Sequence, residues 1–97
     1  MALSRKPLLN LLEQTYNARH PNFESIREQY EEILERTYEE ELRTDAKLLM
    51  AGLDAAQHTY EDWEDLGDYE KKSALKAVRR TTALTQRIHG KYGVEAK

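Results

Sequence analysis

Residues 38–67 read YEEELRTDAKLLMAGLDAAQHTYEDWEDLG, and this stretch decides the fold. Apolar residues recur at Leu42, Ala46, Leu49, Leu53, Ala56, Tyr60 and Trp63. From Ala46 the steps alternate three and four, the spacing of an a/d seam on an α-helix. Gly52 sits inside this pattern and costs a helix about 1 kcal/mol relative to alanine, which the seam tolerates. It marks either a kink or a place where another backbone approaches.

Upstream, Phe23, Ile26, Tyr30, Ile33, Leu34 and Thr37 share one helical face. Glu24, Glu28, Glu31, Glu32, Glu35 and Glu39 form the opposite one. At the junction the apolar stripe rotates by about 100° on the same helical count. Two readings follow. The helix breaks near Arg43-Thr44-Asp45, with Thr44 capping a new one, or a single long, bent helix shows different faces to different neighbours. The second is preferred, because only Thr44 interrupts the pattern.

Before this region, Ser4 is a plausible cap, Pro7 suits a first turn, and Leu8, Leu9, Leu11, Leu12 and Tyr16 follow at helical spacing. Pro21 forces the helix to end beforehand, and Asn22 caps the next one. After it, Gly67 suits a left-handed helix C-terminus and Asp68 an N-cap. A last helix then runs from about Tyr69 to about Gly90, ending in Gly90 or Gly93. Its inward face reads Ala74, Val78, Thr81, Thr85, Ile88 and Tyr92, with Leu75 and Leu84 flanking. Trp63 and Tyr69 are expected to pack across the turn. Residues 93–97 are expected to fray. No strand pattern is present, so the expected fold is all-α: one domain over residues 1–97, a three- to four-helix bundle with a long central helix.

Composition narrows the function. With 97 residues and no cysteine, disulfides, thiolate nucleophiles and cysteine-ligated metal sites are excluded. No run approaches the ~18 apolar residues of a membrane span, and Met1–Lys6 leads into the first helix without a signal-peptide core. A cytoplasmic protein without membrane contact is expected. Charge is strongly segregated. Residues 24–70 hold sixteen carboxylates against four cations, whereas residues 71–97 hold eight cations against Glu95 alone. Such asymmetry suits charged partners or mutual neutralisation of segments.

Chemistry-bearing patterns are sparse. No serine lies in a nucleophile motif and no glycine-rich phosphate loop occurs. Asp54, His58, Glu61 and Asp62 share a helix face and are weak metal candidates, but a surface histidine among carboxylates explains them better. His20 falls in the first connection. His89 falls near a helix end, where the dipole favours a cation. No enzyme activity, metal or cofactor is therefore expected.

Three binding surfaces remain. The seam Tyr38, Leu42, Ala46, Leu49, Leu53, Ala56, Tyr60 and Trp63 is the expected interface of a homodimer, because the last helix supplies a thin core of Ala, Val and Thr and tyrosines favour interfaces. Lys72, Lys76, Arg79, Arg80, Arg87 and Lys91 lie within about 120° of the last helix and are the candidate nucleic-acid face. No aromatic is expected within that stripe. The Glu24–Glu39 stripe is a candidate face for a protein partner, or an acidic imitation of a phosphate backbone. The leading expectation is a non-enzymatic protein-interaction module that self-associates and binds a protein partner; nucleic-acid binding and DNA mimicry are the alternatives.

Residues 63–78 carry one resemblance. Trp63, Tyr69, Lys72, Ser73, Ala74 and Val78 fall at positions matching the short helical motif of the RyR-like domain, the ryanodine-receptor repeat that also occurs in bacterial and phage proteins. The resemblance implies a small helical adaptor or ligand-sensing module of prokaryotic or viral origin.

Overall fold

A computed structural model describes residues 3–92, so the expected fraying of residues 93–97 lies outside the described residues, as does the Tyr92 side chain. Four helices follow one another: α1 (Lys6–Tyr16), α2 (Phe23–Arg36), α3 (Glu40–Asp62), extended by a 3₁₀ turn at Trp63–Asp65, and α4 (Asp68–Tyr92). The chain is elongated, 48 × 21 × 20 Å.

The central region is two helices and not one. Thr37 is extended (φ -111°, ψ 137°) and Glu39 likewise (φ -76°, ψ 128°). The break therefore falls at Thr37–Glu39, several residues before Thr44. Thr44 lies inside the first turns of α3, where its hydroxyl donates back to the Glu40 carbonyl at 2.9 Å. Electrostatics of the helix ends favours the observed position. A continuous helix would place Glu39, Glu40 and Glu41 in its middle, whereas the break puts Glu40 and Glu41 in the first turn of α3, where the dipole stabilises anions. Arg43 completes the corner by donating to the Leu34 carbonyl at 2.9 Å and the Thr37 carbonyl at 3.4 Å. It thereby satisfies carbonyls that the end of α2 leaves without helical partners. The rotation of the apolar stripe is resolved by this corner: α2 folds back along α3, and both stripes face one core.

Other helix ends follow local chemistry. Asn17, left-handed at φ 58°, closes α1 with its N–H on the Glu13 carbonyl at 2.8 Å. The Asn22 side chain accepts from the Ser25 N–H at 3.1 Å, as expected of a cap. Ser4 acts one residue before the N-cap position, accepting from the Lys6 N–H at 3.1 Å. The α3–α4 connection differs from expectation. Gly67 is not left-handed, because the 3₁₀ turn and an extended Leu66 reverse the chain instead. Asp68 is already helical, and the Gly67 carbonyl accepts the first bond of α4, from Lys71 at 2.8 Å. Gly90 does not end α4, which continues to Tyr92.

α3 and α4 form an antiparallel hairpin, with Trp63 beside Lys71, Gly52 beside Thr81, and Glu41 and Asp45 beside Lys91. α2 packs on α3 and α1 on α4. The core contains Leu8, Leu12, Tyr16, Ile26, Tyr30, Leu49, Leu53, Trp63 and Val78, all essentially inaccessible. The buried face of α4 is Leu75, Val78, Thr82, Thr85, Ile88 and His89, turned slightly from the expected Ala74–Thr81 line, both of which are half-buried. At the crossing, a Cβ on Gly52 would lie 3.1 Å from the Thr81 Cβ. Glycine here permits close helix approach.

Two substitutions test this packing by urea denaturation. Leu53→Ala should cost 2–5 kcal/mol, roughly the range for buried leucines. Gly52→Ala should also destabilise, by about 1 kcal/mol, although alanine is the better helix former, because overpacking costs about 1–3 kcal/mol and exceeds the propensity gain. A stabilised Gly52→Ala variant would contradict the close α3–α4 approach.

Candidate functional site

Folding divides the expected seam. Ala46, Leu49, Leu53, Ala56 and Trp63 are buried inside the single chain, against α2 and α4. They form its core, so a surface contact with a second chain cannot be built from them as the chain stands. The physical reason is the corner at Thr37–Glu39, which lets α2 cover a stripe that a continuous helix would leave open. Tyr60 is half-buried and held from three sides. The Arg5 guanidinium lies 4.3 Å from its ring centroid and donates to its carbonyl at 2.6 Å. Its hydroxyl is 2.8 Å from His20 Nδ1, and its ring packs on Phe23 at 5.5 Å between centroids. This cluster ties the first helix and the α1–α2 connection to the end of α3. His20 and Tyr60 thus serve the fold. Tyr38, 93% exposed, and half-buried Leu42 are the other seam residues that reach the surface.

These two stand at the α2–α3 corner, where a hollow of ≈ 340 Å³ opens. It is lined by Gln29, Glu32, Ile33, Arg36, Thr37 and Leu42. Arg36 is neutralised by Glu32 at 2.5 Å, one helical turn away. Ile33 and Leu42 give the hollow its apolar lining, beside an outward row of carboxylates: Glu24, Glu28, Glu31, Glu32, Glu35 and Glu39 are all exposed.

The basic face is likewise outward. Lys72, Lys76, Arg79, Arg80, Arg87 and Lys91 are exposed. Lys91 is held by Glu41 at 3.3 Å and Asp45 at 3.7 Å. Lys71, just before the stripe, is buried, with its ammonium 5.3 Å from the Trp63 ring centroid. Tyr69 corrects two expectations. It does not pack on Trp63 but stands 84% exposed, and it lines a shallow hollow with Lys72, Ser73 and Lys76. An aromatic ring is present at the basic stripe after all.

The metal candidates do not assemble. The Asp54 carboxylate accepts from Arg27, which also donates to Gln57 at 3.0 Å, and Glu61 accepts from Gln57 at 3.0 Å. Among the described residues no three potential ligands come together. Within the same residues no helix is long and apolar enough to cross a membrane.

Buried polar groups went unread in the sequence. Thr15 and Thr82 hydroxyls meet at 2.8 Å between α1 and α4. The Tyr30 hydroxyl and His89 Nε2 share a 2.8 Å hydrogen bond between α2 and α4. Burial pushes Tyr30 well above the ordinary tyrosine range, with the Tyr16 hydroxyl adding to the effect. Burial alone lowers His89 below its ordinary value of 6.5. His89 is thus a neutral link between helices and not a helix-end cation. Its position four residues after Thr85 on the core face was the available signal.

The fold and its two outward faces define an all-α, four-helix chain with charged and aromatic surface residues. Compared with protein-family models, curated proteins and solved structures, the chain finds no match.

The Tyr30–His89 link sets a pH dependence. Because the folded state lowers the His89 pKa, its contribution is fully present above about 6.5 and is lost as pH falls through the lower folded value. Urea midpoints at pH 7.5 and 5.5 should show a drop for the native chain and a smaller one for His89→Gln, whose amide keeps a neutral partner for Tyr30. Equal drops would contradict this role. Tyr30→Phe should cost about 1–2 kcal/mol at pH 7.5, since it strands a buried partner.

Proposed function

We propose that the chain is a non-enzymatic helical adaptor that binds a basic amphipathic helix of a protein partner at the α2–α3 corner. One observation carries the reading: an apolar hollow at Ile33 and Leu42 opens beside an exposed tyrosine and a row of outward carboxylates. Apolar floors take the anchor residues of a docked helix, and the surrounding charge selects its sign. The glutamates would chiefly speed and orient association, whereas burial of an anchor side chain and of Tyr38 would supply most of the affinity. The fold places Tyr38 where it makes no use of the ring, and aromatic rings are enriched in interfaces. The short resemblance of residues 63–78 to the RyR-like motif points the same way, to an adaptor of prokaryotic or phage origin.

Self-association takes a different form in this reading. With Ala46 to Trp63 committed to the core, a second copy would bring its basic α4 face to the acidic α2 face. That contact closes as a two-fold dimer where each copy gives both faces to the other, and otherwise builds rings or open chains.

The test is an NMR titration of the labelled protein with two synthetic helical peptides. Both carry leucines at i, i+3 and i+4; one has Lys/Arg and the other Glu on its remaining positions. The Lys/Arg peptide should bind and shift the resonances of Ile33, Thr37, Tyr38 and Leu42, and Leu42→Lys should abolish binding with helix content unchanged. Equal binding of the Glu peptide, or shifts confined to other residues, would overturn the reading. Concentration-dependent, salt-sensitive shifts without peptide, on both α2 and α4, would replace it with the second-copy arrangement.

A further inference from the structure

The outer face of α4 has a second, independent character. From Lys71 to Tyr92 the helix carries no carboxylate. Lys72, Lys76, Arg80 and Arg87 are exposed, and none has a carboxylate within ion-pair distance among the described residues. Among the described residues, Lys91 alone of the outward cations on this helix is matched to acidic partners from α3. Packing gives no reason for the others, since the buried contacts of α4 come from its opposite side. Stability gives none either: Lys72–Lys76 and Lys76–Arg80 are like-charge i,i+4 pairs, each costing a helix about 0.2–0.5 kcal/mol. The fold therefore bears an unpaired cation row that only an anionic ligand would neutralise.

Tyr69 narrows the ligand. At about 100° per residue, Tyr69, Lys72, Ser73, Lys76, Arg80 and Arg87 share an arc of about 100°. The ring heads this row and leaves 84% of its surface in solvent, although Trp63 lies just across the turn. With Lys72, Ser73 and Lys76 it walls a shallow hollow. An aromatic ring at the end of a cation row offers stacking to an unpaired base while flexible cations follow the phosphates. Duplex bases are already stacked and offer no such face. We infer that the Tyr69–Arg87 face of α4 binds single-stranded nucleic acid without sequence preference, with Tyr69 stacking on a base and Lys72, Lys76, Arg80 and Arg87 contacting phosphates.

This surface is remote from the peptide hollow proposed above. α3 runs antiparallel to α4, so Tyr69 stands at one end of the hairpin and Tyr38 at the other, separated by about 34 Å of helix. The two proposals can fail separately.

The experiment is fluorescence anisotropy of a labelled twelve-nucleotide oligothymidine with the full chain, over a range of salt. Competitors are an unlabelled duplex of equal length and a polyglutamate peptide. Four phosphate contacts predict a slope of log K on log salt of about -3, taking roughly 0.7 per contact for single strands. The variant Lys72→Glu/Lys76→Glu/Arg80→Glu should lose at least a hundredfold in affinity while retaining native helix content. Tyr69→Ala should lose about tenfold, the lower part of the range for one stacked base, and Tyr69→Phe should retain binding. No binding at low salt would overturn the inference. Equal competition by the duplex with an indifferent Tyr69→Ala would remove the single-strand assignment. Polyglutamate competing as well as the oligonucleotide would reassign the face to acidic protein segments.

Discussion

The close antiparallel approach of α3 and α4 at Gly52 and Thr81 is the constraint on which the remaining structure depends. A missing side chain at position 52 lets two long helices meet more closely than a Cβ there would allow, since that atom would lie 3.1 Å from the Thr81 Cβ. Around that crossing Leu49, Leu53, Ala56 and Val78 are fully enclosed. The hairpin then offers two further faces, one taken by α2 and the other by α1. Because α1 and α2 together supply Leu8, Leu12, Tyr16, Ile26 and Tyr30, a chain of 97 residues completes a core although α4 itself contributes few large apolar groups. Charge is then a consequence of packing: whatever does not face the hairpin faces water, and on α2 that is a row of glutamates, on α4 a row of lysines and arginines.

Much of this was legible in the chain. The apolar periodicities of residues 23–37 and 46–63 name the buried faces, and Pro21 and Asn22 place the first connection. The rotation of the stripe at Tyr38 was the true sign of a corner. The periodicity favours a bent helix because only Thr44 interrupts it, whereas the observed end of α2 is closed by a side chain from the next helix, Arg43, which no local pattern shows. Glu39-Glu40-Glu41 was the overlooked cue, since an acidic triplet suits a helix start far better than a helix middle. The same corner removes the seam from the surface: the thin core of α4 and the many tyrosines point to a second chain as its cover, whereas α2, folded back at Thr37–Glu39, encloses Ala46 to Trp63 together with α4.

Tertiary placement was less legible. Nothing in the spacing of Tyr30 and His89, or of Thr15 and Thr82, announces that they meet, because each pair joins helices far apart in sequence. Tyr69 shows the reverse. Its position suggested packing on Trp63, yet Lys71 occupies the space over that ring and Tyr69 stays in solvent. Local pattern and fold disagree at Tyr38 and Tyr69, where large rings stay exposed without a structural task, and the two proposed binding surfaces rest on those rings.

The central claim is that the α3 seam is covered within one chain, by α2 and α4, while both charged faces stay exposed. Amide hydrogen exchange at several protein concentrations tests it most directly. The account predicts that amides of residues 49–56 and 78–85 exchange most slowly, at rates independent of concentration. Protection in those segments that rises with concentration would mean that a second chain, and not α2 and α4, covers the seam, and would contradict it.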